Sequence, residues 1–198
     1  SLSPAIHRMF ASQLGLDIDY RLIEPGDGGF PQALEAFRET GGVGCNVTLP
    51  FKREAWQLSA GSSTEVSQAQ AANTLVRQTT GWFAHTTDGA GFIADLNGNH
   101  GIDISGQRVL ILGAGGAAAG ILGRLLAEQP QQVVLVNRNL QRAQRLSERF
   151  DSSGNLSVTS WSGLAGQGAF DLVVNATSLG HQGEVPPINA SCFTKDGL

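Results

Sequence analysis

The stretch from Arg108 to Gly120 constrains this chain more than any other. An apolar run with β-branched members, Arg108-Val109-Leu110-Ile111-Leu112, stops at glycines, and an alanine- and leucine-rich helical pattern follows. That order reads as a buried parallel strand, a tight turn and a helix N-terminus. Gly113 permits the turn, Gly115 leaves room for a pyrophosphate against the backbone, and Gly116, Ala117 and Ala118 keep the helix start slim. Unpaired N–H groups and the positive end of the helix dipole then face an anion. Ala118 stands where a third glycine is usual, an accepted variant of the dinucleotide-binding spacing.

The flanks support this reading. Gln132 to Asn137 forms a second buried strand where a βαβ crossover delivers it. At the end of that strand an NAD site usually places Asp or Glu for the ribose hydroxyl. This chain has Asn137-Arg138-Asn139 there, with Arg142 beyond. A guanidinium fork suits a 2′-phosphate, so NADP is the expected coenzyme. The bland alternative is two arginines on a solvated helix start.

The 198 residues allow one large domain or two modest ones. A net charge of −4 without a basic block gives no reason to expect nucleic acid, and no run reaches membrane-span length. Cys45 and Cys192 make no disulfide framework or metal spacing. Three Asn-x-Thr/Ser triplets, at Asn46, Asn175 and Asn189, read formally as glycosylation acceptors, but nothing suggests secretion, and a cytoplasmic setting is expected. The chain starts at Ser1 on a helix-start signal and ends at Asp196-Gly197-Leu198, where a further strand is expected, so both ends read as cut.

Along the chain, Ser3 suits a helix N-cap and Pro4 its first position. Ile6, Met9, Phe10 and Leu14 follow at helical spacing, with Gly15 just past the end. Ser1 and Ser3 read either as caps or as ligands for an anionic or hydroxylated group. Tyr20 to Ile23 reads as a short strand and Pro31 to Phe37 as a helix. A strand running to Thr48 meets Pro50, which opens a helix with Lys52 in its first turn. A cation there opposes the helix dipole; the position is poor for stability and suited to proton transfer, although surface lysines are common. Ser62 to Ala71 reads as a helix, and residues 73–78 and 81–86 as paired strands around Thr79-Thr80. Asp88 then starts a helix, either as a dipole-compensating carboxylate or as part of a cleft before the nucleotide-binding unit. Asp171 to Ser178 is a further buried strand whose polar end lies where open α/β sheets bind ligands.

Seven segments in this order resemble the shikimate dehydrogenase family over essentially the whole chain. They are Ser1-x-Ser3-Pro4-x-Ile6-His7, Asn46-Val47-Thr48-x-Pro50-Phe51-Lys52, Ala72-Asn73-Thr74, Thr87-Asp88-Gly89-x-Gly91, Gly113 to Ala117, Asn137-Arg138 and Asn175 to Ser178. The resemblance implies an α/β chain: an N-terminal substrate domain over 1–88, then a Rossmann-like NADP-binding domain over 89–198. It implies reversible NADPH-dependent reduction of 3-dehydroshikimate to shikimate, on the route to aromatic amino acids, by a monomer or homodimer. By position, Ser1 and Ser3 would hold the substrate carboxylate, and Thr48, Asn73 and Asp88 its ring hydroxyls. Lys52, paired with Asp88, would be catalytic. Gly113, Ala114, Gly115, Gly116 and Ala117 would cradle the pyrophosphate, with Asn137, Arg138, Asn139 and Arg142 around the adenosine phosphate.

There are departures. Thr86 stands where the family usually has Asn, and Asn139 where threonine is common. The family's first strand, its nicotinamide-side loop and a substrate-binding glutamine with closing helices have no counterpart. The chain by itself is therefore expected to fold poorly or to be inactive. A quinate/shikimate dehydrogenase using NAD is the near rival, and a non-catalytic NADP sensor the distant one. The arginines speak against the first, and the Lys52–Asp88 pair against the second.

Overall fold

The structure, a computed structural model, describes residues 1–150, 154–179, 183–195 and 197. Asp196 and Leu198, at the expected terminal strand, lie outside the described residues. The chain forms two compact bodies, Ser1–Gly42 and Val43–Leu198.

In the first body, α1 (Ser3–Leu14) ends at Gly15, whose left-handed conformation lets its N–H close on Ala11 and Ser12. The structure corrects the start of this helix. Leu2 is the N-cap and makes no side-chain cap bond, so Ser3 and Pro4 are the first two helical residues. Ser1 stands in for the cap, since its hydroxyl accepts the Ser3 N–H at 3.2 Å. α2 (Gly29–Glu39) buries Phe30 and Leu34. Tyr20 to Ile23, expected as a strand, is irregular. Its apolar residues alone cannot make it a strand, because no strand among the described residues supplies a partner ladder.

The second body holds two four-stranded sheets. Strands β1 (Gly44–Asn46), β2 (Gly61–Ser62), β3 (Thr74–Gln78) and β4 (Gly81–His85) are ordered β1-β3-β4-β2. The β3–β4 hairpin turns at Thr79-Thr80, as the sequence predicts. The short helices α3 (Lys52–Gln57) and α4 (Thr64–Ala69) connect these strands. Strands β5 (Arg108–Leu112), β6 (Gln132–Val136), β7 (Leu156–Thr159) and β8 (Leu172–Asn175) form a parallel sheet ordered β7-β6-β5-β8. The order reverses between β5 and β8, which opens a crevice at their carboxyl ends.

Helices α5 (Asp88–His100), α6 (Gly116–Ala127) and α7 (Leu140–Ser147) complete this body. Ala118, Leu122 and Leu125 of α6 pack with Val109, Ile111, Val133 and Leu135 on one face of the parallel sheet. Leu110, Leu112, Val134 and Val136 pack on the other face with Leu164, Phe170 and Cys192. Burial on both faces explains why these strands read as continuous apolar runs. Among the described residues, no helix is long and apolar enough to cross a membrane.

Candidate active site

Three loops of the second body meet around one ion pair. The backbone leaves β1 with Val47 still bonded to the Asn73 carbonyl at 2.7 Å, then turns over Thr48-Leu49-Pro50-Phe51 through a cis Leu49–Pro50 bond. That turn makes Lys52 the first residue of α3, and its own carbonyl accepts the Ala72 N–H at 2.8 Å. From the far end of β4 the chain reaches Asp88, the first residue of α5. Lys52 Nζ lies 2.5 Å from Asp88 Oδ2, with the two side chains 16% and 24% exposed. At that burial the pair is shielded from the screening that weakens surface ion pairs.

Asn73 holds the other oxygen of the carboxylate. Its Nδ2 donates to Asp88 Oδ1 and to Thr87 Oγ1, both at 2.8 Å, while its Oδ1 accepts from the Thr87 N–H at 3.1 Å and the Thr74 hydroxyl at 2.8 Å. Thr48 is exposed beside this cluster in sequence, on the turn before α3. Of the residues singled out in the sequence, the structure brings Lys52, Asp88 and Asn73 together; sequence reasoning assigned no role to Thr74 or Asn46. Their involvement depends on cross-strand register, which pairs Asn46 with Thr74.

The glycine turn lies next to this cluster. Gly113 has φ +105°, and a Cβ there would stand 3.0 Å from the Ala176 carbonyl oxygen. The position therefore requires glycine both for its conformation and for the close approach of the loop after β8. Gly115 is the N-cap of α6, and the space its Cβ would fill is open apart from an Arg142 nitrogen at 3.8 Å. The first N–H groups of α6, from Gly116 onward, precede any intrahelical acceptor, as at every helix start, and so suit an anion. Lys52 Cδ lies 3.9 Å from the Cβ position on Gly116, so the ion pair and the glycine turn share one site.

In the first turn of α7, the helix after β6, the Arg142 Nε–H donates to the Ala114 carbonyl at 2.9 Å, which lays its guanidinium against the glycine turn. Asn139 caps α7 by accepting the Arg142 N–H at 3.0 Å, and Asn137 Nδ2 donates to the Asn139 carbonyl. Arg138 is exposed. A turn open to a diphosphate, a helix N-terminus and two guanidiniums fit a phosphorylated dinucleotide. Ser1 and Ser3 lie in the first body, where the Ser1 hydroxyl donates to Ser3 Oγ at 3.0 Å. Together they form one patch of hydroxyls.

Comparison with known proteins bears on this geometry. The shikimate dehydrogenase substrate binding domain matches residues 1–75, and the shikimate / quinate 5-dehydrogenase domain matches residues 95–182. A shikimate dehydrogenase (NADP(+)) of Alkalilimnicola ehrlichii is 45% identical over 188 residues, spanning 95% of this chain and 69% of the relative. This chain belongs to the shikimate dehydrogenase family. An Ael1 enzyme from Pseudomonas putida shares the fold at TM-score 0.89 and 36% identity, over 97% of this chain and 70% of its own. Shikimate 5-dehydrogenase of Thermus thermophilus, solved with NADP(H) and shikimate, matches at TM-score 0.83 and 31% identity. That match covers 100% of this chain and 72% of the other. The expected α/β class and the Rossmann-like domain hold for this family member.

Proposed function

We propose that this chain is an NADP-dependent shikimate dehydrogenase, reducing 3-dehydroshikimate reversibly to shikimate in aromatic amino acid biosynthesis. The observation that carries the reading is the Lys52–Asp88 pair held beside the first turn of the glycine-turn helix. Residues 1–88 serve the substrate and residues 89–198 the coenzyme. Ser1 and Ser3 take the substrate carboxylate, and Thr48 and Asp88 take ring hydroxyls. Asn73 reaches a hydroxyl only by giving up one of its four bonds, so its first task is to hold Asp88. Gly113, Ala114, Gly115, Gly116 and Ala117 hold the pyrophosphate. Asn137, Arg138, Asn139 and Arg142 surround the adenosine phosphate. The enzyme works in the cytoplasm, as a monomer or homodimer.

When bound, NADPH supplies the hydride to the ketone carbon, and NADP accepts it back in the reverse direction. Negative charge then gathers on the substrate oxygen, where a positioned cation gives the largest stabilisation. Lys52 is that cation. Its ammonium holds the oxygen and delivers the proton, and its amine takes the proton back when shikimate is oxidised. Asp88 keeps the amine in place and accepts a bond from a neighbouring ring hydroxyl. A site with donors and acceptors matched to several hydroxyls also rejects analogues that lack one.

The test is reduction of NADP by shikimate in a chain of the relatives' full length, beside its Lys52→Ala variant, with NAD and quinate as controls. NADP turnover that falls about 100-fold or more in the variant, with coenzyme binding kept, supports the enzyme and the role of Lys52. Retained NADP binding without turnover of shikimate or quinate favours a sensor.

A further inference from the structure

An asparagine side chain offers two donors and two acceptor sites, and in Asn73 all four are filled from within the protein. Which way the amide faces therefore decides whether Asp88 meets an N–H or an oxygen. An oxygen there would set two acceptors against each other and turn the carboxylate away from Lys52. Two donors select the productive orientation. One is the Thr87 backbone N–H, which no substitution at position 87 except proline removes. The other is the Thr74 hydroxyl, 2.8 Å from Asn73 Oδ1.

We infer that Thr74 is a positioning residue for the reaction. Its hydroxyl locks the Asn73 amide so that the amide NH2 faces Asp88 and holds the carboxylate on Lys52. The inference rests on Lys52 and Asp88 being the reacting pair proposed above. Thr74 is itself oriented: its Oγ1 accepts from Asn46 Nδ2 at 3.3 Å, across the β1–β3 pair in which the two residues face each other. The hydroxyl's proton is thereby directed at Asn73, and a chain of hydrogen bonds runs from Asn46 through Thr74 and Asn73 to Asp88. Successive bonds in such a chain polarise one another and stiffen the last of them. Thr74 is half-buried in β3 and flanked by strands on both sides, so its χ1 is restricted and its hydroxyl has little freedom to leave.

Thr74→Val keeps the branched shape and the strand preference and removes only the O–H, while Thr74→Ser keeps the O–H. Turnover of NADP with shikimate is measured in the full-length enzyme, with coenzyme affinity and melting temperature alongside. In Thr74→Val, kcat should fall about five- to tenfold with coenzyme affinity unchanged and the melting temperature lowered by no more than about 4 °C, and Thr74→Ser should return kcat to within about twofold. Wild-type kcat in the valine variant, or equal loss in both variants, overturns the inference. A second measurement does not depend on turnover. The Asn73 side-chain NH2 protons, followed by NMR, should exchange with solvent at least about threefold faster in Thr74→Val, and unchanged exchange overturns the positioning role. If the unsubstituted enzyme fails to turn over shikimate, the functional reading fails on its own and the exchange rates still decide the role of Thr74.

Discussion

Cys45 sits on β1 one residue before Asn46, opposite Leu75. Burial pushes its thiol from an ordinary value of 9.0 up to about 11, and a backbone hydrogen bond from Leu75 only partly offsets this. The raised value means that the neutral thiol is the native species at physiological pH. Its contribution to stability is full below pH 9 and is lost as pH rises through 11. Because the thiolate is the nucleophile, Cys45 should react with iodoacetamide at pH 8 about tenfold or more slowly than free cysteine. Mass spectrometry of the native protein over time checks this; alkylation at the free-cysteine rate would show that the strand edge is open. In another part of the second body, a single polar side chain sets a helix start. Asn139, where threonine is common in the family, caps α7 by accepting the Arg142 N–H.

Among the elements, the crossing of α5 on α6 sets the distance between the ion pair and the glycine turn. Gly89 follows Asp88 directly, and a Cβ there would stand 2.8 Å from Arg124 Cβ and 3.0 Å from the Gly120 carbonyl oxygen. A Cβ on Gly120 would in turn stand 2.7 Å from Asp88 Oδ2. Two glycines thus let one helix lie on the backbone of the other. By helix propensity alone Gly89→Ala should stabilise α5 by about 1 kcal/mol. We expect the opposite, a net loss of about 1–3 kcal/mol, because the helices must part to admit the methyl group. Thermal or urea unfolding of the variant checks the sign. A gain in stability would mean that the crossing relaxes freely. The displaced Asp88 should also lower kcat more than coenzyme affinity.

Across the whole molecule, packing is uneven. Val109 to Leu112 and Val133 to Val136 are buried on both faces of the parallel sheet, each 0–1% exposed. Residues 17–25 form neither helix nor strand, and Leu22 and Ile23 are 60% and 52% exposed. Amide hydrogen exchange should therefore be slowest in β5 and β6 and fast across 17–25. Strong protection of 17–25 would show that a partner ladder exists there. The parallel strands, the glycine turn and the β3–β4 hairpin were legible in the sequence, since each depends on local periodicity and turn chemistry. Lys52 and Asp88 stood out at helix starts, and Asn73 only through the family resemblance. Tyr20 to Ile23 misled because a strand is a property of two segments, and the sequence shows only one of them. The start of α1 misled because Ser1, rather than Ser3, took the capping hydrogen bond. Thr74, Gly89 and the reach of Arg142 to Ala114 were hidden for a shared reason: their roles arise where distant segments touch. Sequence alone determined the buried parallel strands, the glycine turn and the β3–β4 hairpin, because those follow from local sterics and residue type. Tertiary structure alone decided which hydrogen bonds the site residues complete, because register and helix crossing set distances that no local pattern encodes.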